Sequence, residues 1–432
     1  MTVPSQGERL LTGFALLLST LIGPLAYATP LAMAALLPIL ALTMAAIAQS
    51  QGVLDLRPML RAGLVWLPLL AFLPLSALWS LDARASLILS LRLVGLFASG
   101  VLFIHSLSQL PRATALPFIR GLAWGFMIAA VIVFTEAFDQ QALAHLFNRR
   151  DGSSNLMSHY SRGGDFAAFL IPALAFGLWR LGQPRLAVAQ LVIGGAAIMA
   201  GWEMSSKLAL IVALIVAGLV LALPSLRWVL VAALALAALA IPFLVPIELT
   251  PGQTCWLAAH KSSGLHRVII WNFVSGKIHE RPWLGYGLDS ARRMPGGTEH
   301  VTIHRCGEPD GPVVVDGDVL PLHPHNAVLQ IWLELGAVGA ILAFGALLAS
   351  LSRSFLDPAL AAPIPRAMIA ALVAGAFGPG SLSFGIWQEW WIGTLFIGTA
   401  ATVALGRMAA EPKDQRRSRE NVIEHAPGAA TL

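Results

Sequence analysis

The sequence predicts an all-α integral membrane protein, and three observations lead to that fold class. Of the 432 residues, 57% are hydrophobic and only 12% are charged, which is about half the charged share of an average soluble domain. The mean hydropathy is +0.73. Apolar runs of about 20 residues, the length that crosses a bilayer as a helix, recur along the whole chain. A bundle of about twelve transmembrane helices is therefore predicted, with one long polar loop.

The spacing of the apolar runs places the predicted spans at 10–28, 30–49, 62–80, 86–107, 116–137, 164–182, 185–203, 207–223, 227–247, 325–350, 366–385 and 387–406. We expect the first span to remain in the membrane, because a second apolar run follows it directly, unlike a cleaved signal peptide. Four segments follow from these spans: nine helices in 1–247, a loop with short helices in 248–324, three helices in 325–406 and a basic tail in 407–432.

Positive charge orients the predicted bundle. If the N-terminus is cytoplasmic, every short cytoplasmic loop carries arginine, and the basic tail lies on the same side, as the positive-inside rule requires. The net charge of +5 is thus explained by topology, and without a recognition motif we predict no nucleic-acid partner.

Three segments on the opposite face also carry cations. These are the loop at 138–163, which includes Arg149, Arg150 and Arg162, a short turn with Lys207, and the long loop at 248–324. The pattern indicates an anionic ligand at that face. The alternative is that long loops cross the membrane regardless of charge, which fits the long loop well and the Lys207 turn poorly.

The long loop has local structure of its own. Apolar spacing predicts a helix over 264–280, then a turn at 282–287, and a loop over 295–322 with a short strand at 313–315. Both cysteines of the chain, Cys255 and Cys306, lie here. If the loop is extracytoplasmic they can form a disulfide, and the alternative is two free thiols.

A polar stripe opens the apolar helix that follows Pro324. Asn326, Gln330 and Glu334 fall at positions i, i+4 and i+8 of that helix, on one face. Lipid cannot satisfy them, so the stripe must face protein or a water-filled cavity. A stripe that only joins helices is the alternative. Further along, Gly336 and Gly339 are expected to allow close helix packing.

His325 sits at the mouth of the same helix. Imidazole, with a reference pKa of about 6.5, can take a proton near neutral pH. The spacing of His323 and His325 fits no standard zinc pattern, so we predict neither a metal nor another cofactor. The tryptophans Trp387, Trp390 and Trp391 are interpreted as an interfacial belt.

Three motifs resemble the bacterial O-antigen ligase and polymerase superfamily. The first is His325-Asn326 followed, after nine residues, by Gly336-Ala-Val-Gly339. Upstream of it, Arg267-x-x-x-Trp271 precedes Pro282-x-x-Gly285-x-Gly287. In the middle of the chain, Tyr160-Ser-Arg162 opens a span. Their order and their place in the predicted topology are similar to the family pattern over most of the chain.

The resemblance implies a GT-C-like glycosyltransferase in the bacterial inner membrane, among membrane lipids, with its active site facing the periplasm. It implies transfer of O-antigen or a related glycan from undecaprenyl pyrophosphate to lipid A-core. His325 carries over as the base and Arg267 as the loop arginine. Where the family usually has an arginine, this chain has Lys207, which keeps the charge but loses the bidentate fork.

The remaining predicted substrate contacts are cationic or polar side chains near the same face. A pyrophosphate leaving group needs positive charge and hydrogen-bond donors. Arg92 either approaches the diphosphate or pairs within the bundle. The predicted substrate-binding set is Arg92, Arg162, Lys207, Asn326, Gln330 and Glu334.

Three other functions remain open, among them an oligosaccharyltransferase acting on protein, although such chains tend to be longer. A polymerase of the same superfamily would use a second lipid-linked glycan as acceptor. A transporter or flippase would have a midplane site with broken helices, and Gly378-Pro-Gly380 offers one such break. The unusual polar residues gather at one membrane edge instead, which favours the transferase.

Overall fold

The structure is a computed structural model that describes residues 6–138, 160–201, 203–306 and 311–410. Arg149, Arg150 and the predicted tail beyond residue 410 lie outside the described residues. The first ten helices are α1 Gln6–Ala28, α2 Ala32–Ser50, α3 Leu56–Gly63, α4 Leu67–Leu75, α5 Ala83–Gln109, α6 Arg112–Phe138, α7 Ser161–Arg180, α8 Pro184–Ala200, α9 Met204–Ala222 and α10 Leu226–Leu244. The long loop and the last helices comprise α11 Pro251–His260, α12 Ser262–Glu280, β1 His300–His304, β2 Val313–Asp318, α13 Ala327–Leu356, α14 Pro363–Leu382 and α15 Glu389–Ala410.

The fold is an all-α membrane bundle, as predicted. Among the described residues, eight helices are long and apolar enough to cross a membrane, namely α1, α2, α5, α6, α9, α10, α13 and α15. The number rises to nine if α3 and the chain after it, bent by 55°, form one span. Helices α7, α8 and α14 occupy the other predicted spans but fall short by length or hydropathy, so the count of twelve stays a prediction.

Helix α7 lies at the centre of the bundle. Nearly every residue from Gly163 to Leu178 is buried, because α1, α9, α14 and α15 all pack around it. A helix buried on all sides needs no polar face. Glycine permits the closest approach: a Cβ at Gly375 of α14 would lie 2.8 Å from the Cβ of Phe169.

The long loop folds on a small core of its own. The predicted helix over 264–280 is confirmed as α12, and the predicted strand is confirmed as part of β2. Two elements were not predicted, α11 and the partner strand β1, which pairs antiparallel with β2. Ala258, Leu265 and Val315 form the core. A disulfide joins Cys255 to Cys306, with 5.4 Å between their Cα atoms.

Helix α13 is broken at Gly336, whose φ of 62° and ψ of −165° are not helical. The segment 282–287 lies against the break and satisfies the backbone groups that it frees. Ala337 N donates to Pro282 O (2.8 Å) and Val338 N to Trp283 O (3.1 Å). In return, Tyr286 N donates to Leu333 O (3.0 Å) and Gly287 N to Glu334 O (2.7 Å).

The expected role of Gly336 in helix packing is therefore wrong. A Cβ there would lie 2.3 Å from the carbonyl carbon of Trp283, so the glycine admits a loop backbone instead of a neighbouring helix. Gly285, also in a left-handed conformation, would meet the carbonyl carbon of Glu334 at 2.6 Å. The two glycine motifs of the sequence are thus the two halves of one interface.

Candidate functional site

His325 lies at the entrance of α13 in a conformation that is unusual for a side chain larger than glycine, with φ of 54°. Its Nδ1 is 2.8 Å from the backbone carbonyl oxygen of Ser383. Because a carbonyl only accepts, Nδ1 carries the proton and Nε2 keeps its lone pair. Asn326 caps the helix directly behind it, with Oδ1 accepting from Leu329 N at 3.1 Å.

His323 holds the backbone of His325 in place, a role that the sequence did not suggest. The backbone N of His325 donates to His323 Nδ1 at 3.1 Å, and the two ring centroids are 4.4 Å apart. His323 Nε2 lies 3.3 Å from Gln388 Nε2. Burial lowers the pKa of His323 to about 3 and also lowers the pKa of His325. Both imidazoles are therefore neutral near pH 7, the form in which an imidazole can accept a proton.

Arg267 is close enough to His325 for its charge to act on the imidazole. It lies in the second turn of α12, where burial lowers its pKa and the charge of Glu203 opposes that effect. Its charge contributes in turn to the lowered pKa of His325, after burial. Nη1 donates to Ser263 O at 3.3 Å, while Nε is buried without a hydrogen-bond partner among the described residues. The guanidinium therefore retains donors for a ligand.

Trp271 fixes α12 to the entrance of α13. It follows Arg267 by one helical turn, so both side chains lie on one face of the helix. Its Nε1 donates to the carbonyl oxygen of Pro324 at 2.9 Å. The spacing Arg267-x-x-x-Trp271 thus has a structural reason, since the tryptophan fixes the face of α12 that carries Arg267 to the segment that carries His325.

Arg162 and Arg92 both reach the start of α15. The guanidinium of Arg162, exposed in the first turn of α7, lies 5.3 Å from the ring centroid of Trp390. Arg92 Nη1 pairs with Glu389 Oε1 at 3.2 Å, so of the two alternatives for Arg92 the structure contains the pairing. Its side chain is 64% exposed, and a pair so open to water is weak.

Lys207 stands in the first turn of α9. Among the residues that the structure describes, it has no hydrogen-bond or ion-pair partner. The two serines before it, Ser205 and Ser206, donate to Asp165 Oδ1 of α7 at 3.2 and 2.7 Å. Asp165 therefore joins the start of α9 to the start of α7 through the two serines. The ammonium of Lys207 takes no part in this junction.

The polar stripe on α13 faces protein, as predicted. Gln330 Nε2 donates to Glu334 Oε1 at 3.0 Å, and Gln330 Oε1 accepts from Ile386 N at 2.9 Å. Glu334 Oε2 accepts from Asp289 N at 2.7 Å and from Trp387 Nε1 at 2.8 Å. These contacts match the alternative in which the stripe joins segments together, and direct contact of the stripe with substrate stays a prediction.

The interpretation of Trp387, Trp390 and Trp391 as an interfacial belt is wrong. Their exposed fractions are 7%, 4% and 1%, so they are core residues. Trp387 binds the buried Glu334, and Trp390 lies beneath Arg162. Tryptophan occurs both in membrane belts and in buried cores, so composition alone does not separate them.

The comparisons with known proteins match the centre of the chain. Residues 152–344, which include every site residue above from Arg162 to Glu334, match the family model described as O-Antigen ligase. The resemblance noted from the motifs is therefore confirmed for this segment.

Curated relatives match over a shorter region. A Rickettsia conorii protein whose name begins "Putative polysaccharide ligase" is 40% identical over 134 residues, and one from Rickettsia prowazekii is 38% identical over 136 residues. Each match covers 31% of this chain, and the chain spans about 30% of the length of either relative.

Proposed function

We propose that this chain, whose residues 152–344 match the O-antigen ligase family, is a membrane glycosyltransferase that transfers O-antigen or a related glycan from undecaprenyl pyrophosphate to lipid A-core. One observation carries the proposal. The bond from His325 Nδ1 to Ser383 O leaves Nε2 as a proton acceptor, and the guanidinium of Arg267, which has donors to spare, lies nearby. A base beside a phosphate-binding cation is the pair that this transfer needs.

The reaction would proceed by one displacement. His325 Nε2 takes the proton of an acceptor sugar hydroxyl as that oxygen bonds to the anomeric carbon of the donor glycan. The bond from the anomeric carbon to the pyrophosphate oxygen breaks, and undecaprenyl pyrophosphate leaves with the bonding electrons. Arg267 stabilises the charge that develops on the leaving group.

The other cations would bind the rest of the diphosphate. Arg162 and Lys207 begin α7 and α9, which Asp165 joins, and both side chains have donors to spare. Arg92 would take part only after giving up its exposed partner Glu389, at little cost. Asn326, Gln330 and Glu334 would act on the substrate mainly through the groups they hold in place.

The proposal includes a topology. Twelve spans in a GT-C-like arrangement, with both termini cytoplasmic, would put the 248–324 loop and His325 on the periplasmic face of the inner membrane. The arginine distribution supports this orientation. So does the disulfide between Cys255 and Cys306 in that loop, because disulfides persist in an oxidising compartment.

The test compares His325→Ala and Arg267→Ala with His300→Ala as the matched control, since His300 is an exposed histidine on β1 that pairs with Asp316. In a strain that lacks the chromosomal gene, we expect the first two variants to insert normally but to leave lipid A-core without glycan. His300→Ala should restore normal lipopolysaccharide ladders. Normal ladders from both site variants would refute the mechanism.

The same deletion strain separates the competing functions. Long lipid-linked glycan that accumulates beside bare core supports a ligase, whereas a single glycan unit on core supports a polymerase. Purified protein in liposomes tests the third possibility. Movement of the lipid-linked glycan without new glycosidic bonds would replace the transferase by a flippase.

A further inference from the structure

The turn between α14 and α15, residues 383–388, carries the carbonyl that orients His325. This 383–388 turn is anchored to the stripe on α13 at two points. Trp387 Nε1 donates to Glu334 Oε2 at 2.8 Å, and Ile386 N donates to Gln330 Oε1 at 2.9 Å. Because Gln330 Nε2 also donates to Glu334 Oε1 at 3.0 Å, both anchors end on one carboxylate.

The same carboxylate holds a third segment. Glu334 Oε2 accepts from the backbone N of Asp289, at 2.7 Å, in the loop that follows the broken-helix interface. Asp289 has φ of 61°, and its side chain pairs with Arg292 Nε at 3.0 Å. Glu334 is fully buried and receives three donors. Only an acceptor with two oxygens meets them all, because a glutamine would turn one oxygen into a competing donor.

The 383–388 turn has little space in which to shift. A Cβ at Gly385 would lie 3.0 Å from Cγ of His323 and 3.1 Å from Oε1 of Gln330. Gln388 Nε2 lies 3.3 Å from His323 Nε2. The turn is therefore packed between the histidine pair and the stripe, so even a small shift at either anchor is transmitted to the Ser383 carbonyl at the imidazole.

From these contacts we propose that Glu334 is a positioning residue, which holds the Ser383 carbonyl through Trp387 and Gln330 so that His325 presents Nε2 to the acceptor. The inference rests on the proposed function, in which His325 is the base. Two carriers of the effect, Ser383 and Trp387, lie outside the set of site residues predicted from the sequence. The stripe then has a catalytic consequence without touching substrate, since the tautomer of a histidine is set by the bond at its other nitrogen.

Trp387→Phe tests the proposal, because it removes the indole N–H and keeps an aromatic ring. Trp332→Phe is the matched control. Trp332 lies on α13 and is buried to a similar degree, with 6% of its surface exposed, and its Nε1 donates at 2.8 Å to Ala238 O, away from the turn. Each variant is purified at full length and assayed with undecaprenyl-pyrophosphate-linked glycan and lipid A-core over a range of pH.

We expect Trp387→Phe to lower kcat by about 10- to 100-fold, the effect of displacing a catalytic group by up to about 1 Å, with donor KM unchanged. The acidic limb of the kcat–pH profile should also move down by about half to one pH unit. The Ser383 carbonyl favours the protonated imidazole, and weakening this contact removes the stabilisation of about one hydrogen bond from that form. Neither variant alters the groups whose charges act on His325, which are His323, His266 and Arg267.

Trp332→Phe should leave both the limb and kcat near wild type. A Trp387→Phe profile that coincides with the control would overturn the proposal. Glu334→Gln provides a second measurement and should match Trp387→Phe in the direction of both changes; a wild-type profile there would also overturn it. Failure of the base assignment is distinguishable, since it appears as turnover in His325→Ala whatever Trp387→Phe does.

Discussion

Gly336→Ala should break the interface between the 282–287 loop and α13. Gly336 combines φ of 62° with ψ of −165°, a region that is essentially restricted to glycine. The new Cβ would also lie 2.3 Å from both the carbon and the oxygen of the Trp283 carbonyl. Those atoms are backbone, so no rotamer change relieves the contact.

The size of the effect follows from what must separate. Four backbone hydrogen bonds join the loop to the break in α13, and each contributes about 1 kcal/mol. Forcing alanine into the glycine-only region costs about 1–3 kcal/mol. If the loop moves away instead, the carbonyl and amide groups at the break lose their partners inside the bundle. A destabilisation of about 5 kcal/mol is expected, which approaches the whole stability of many proteins.

Thermal unfolding of detergent-purified protein, followed by size-exclusion chromatography, measures the effect. Gly345→Ala is the control, because Gly345 lies on the same helix and a Cβ added there would have no atom within 4 Å. We expect Gly336→Ala to yield little folded protein, and Gly345→Ala to melt at or slightly above the wild-type temperature. Equal melting temperatures for the two variants would refute the account of the broken helix.

Three further predictions concern charge, redox state and pH. Lys207→Arg should keep transfer activity, because charge is retained and the arginine fork suits phosphate; loss of activity would indicate a role specific to lysine. A thiol reagent should label Cys255 and Cys306 only after reduction, and equal labelling before and after would contradict the disulfide. Because burial lowers the pKa values of His323 and His325 in the folded state, the free energy of unfolding falls as pH drops below about 6.5, and for His323 this continues down to about pH 3. Acid-unfolding curves should show a smaller loss for His323→Gln than for the wild type. A stability loss that begins only above pH 7 would contradict this sign.

Side-chain periodicity predicted the helices of the bundle and the direction of the stripe. Asn326, Gln330 and Glu334 recur at helical spacing, and a polar row in an apolar helix has to face protein or water. The same rule found α12 in the loop, from the spacing of its apolar residues. These predictions depend on local pattern, which a sequence displays directly.

The partners of the site depended on information that local pattern lacks. His325 binds the backbone carbonyl of Ser383, 58 residues away, and any residue type offers a carbonyl. Gly336 looked like a helix-packing residue because sequence does not reveal φ. The fact that Pro282-x-x-Gly285-x-Gly287 precedes Gly336 in one family pattern was the available signal, and it pointed to a shared interface only once both halves were located.

The convergence of helix starts explains why a lysine can stand where the resemblance to the O-antigen ligase family implies an arginine. The beginnings of α7, α9 and α15 lie together, since Asp165 binds Ser206 and Arg162 lies over Trp390. The beginning of α13 adjoins the turn before α15, where His325 binds Ser383 at the C-terminal end of α14. Each helix start carries about half a positive charge from its free N–H groups. Under the proposed function, the field at the starts of α7 and α9 favours the diphosphate, and Lys207 adds to it. In the proposed mechanism the half-buried Arg267 makes the bidentate contact, so replacing it by lysine should cost far more activity than replacing Lys207 by arginine.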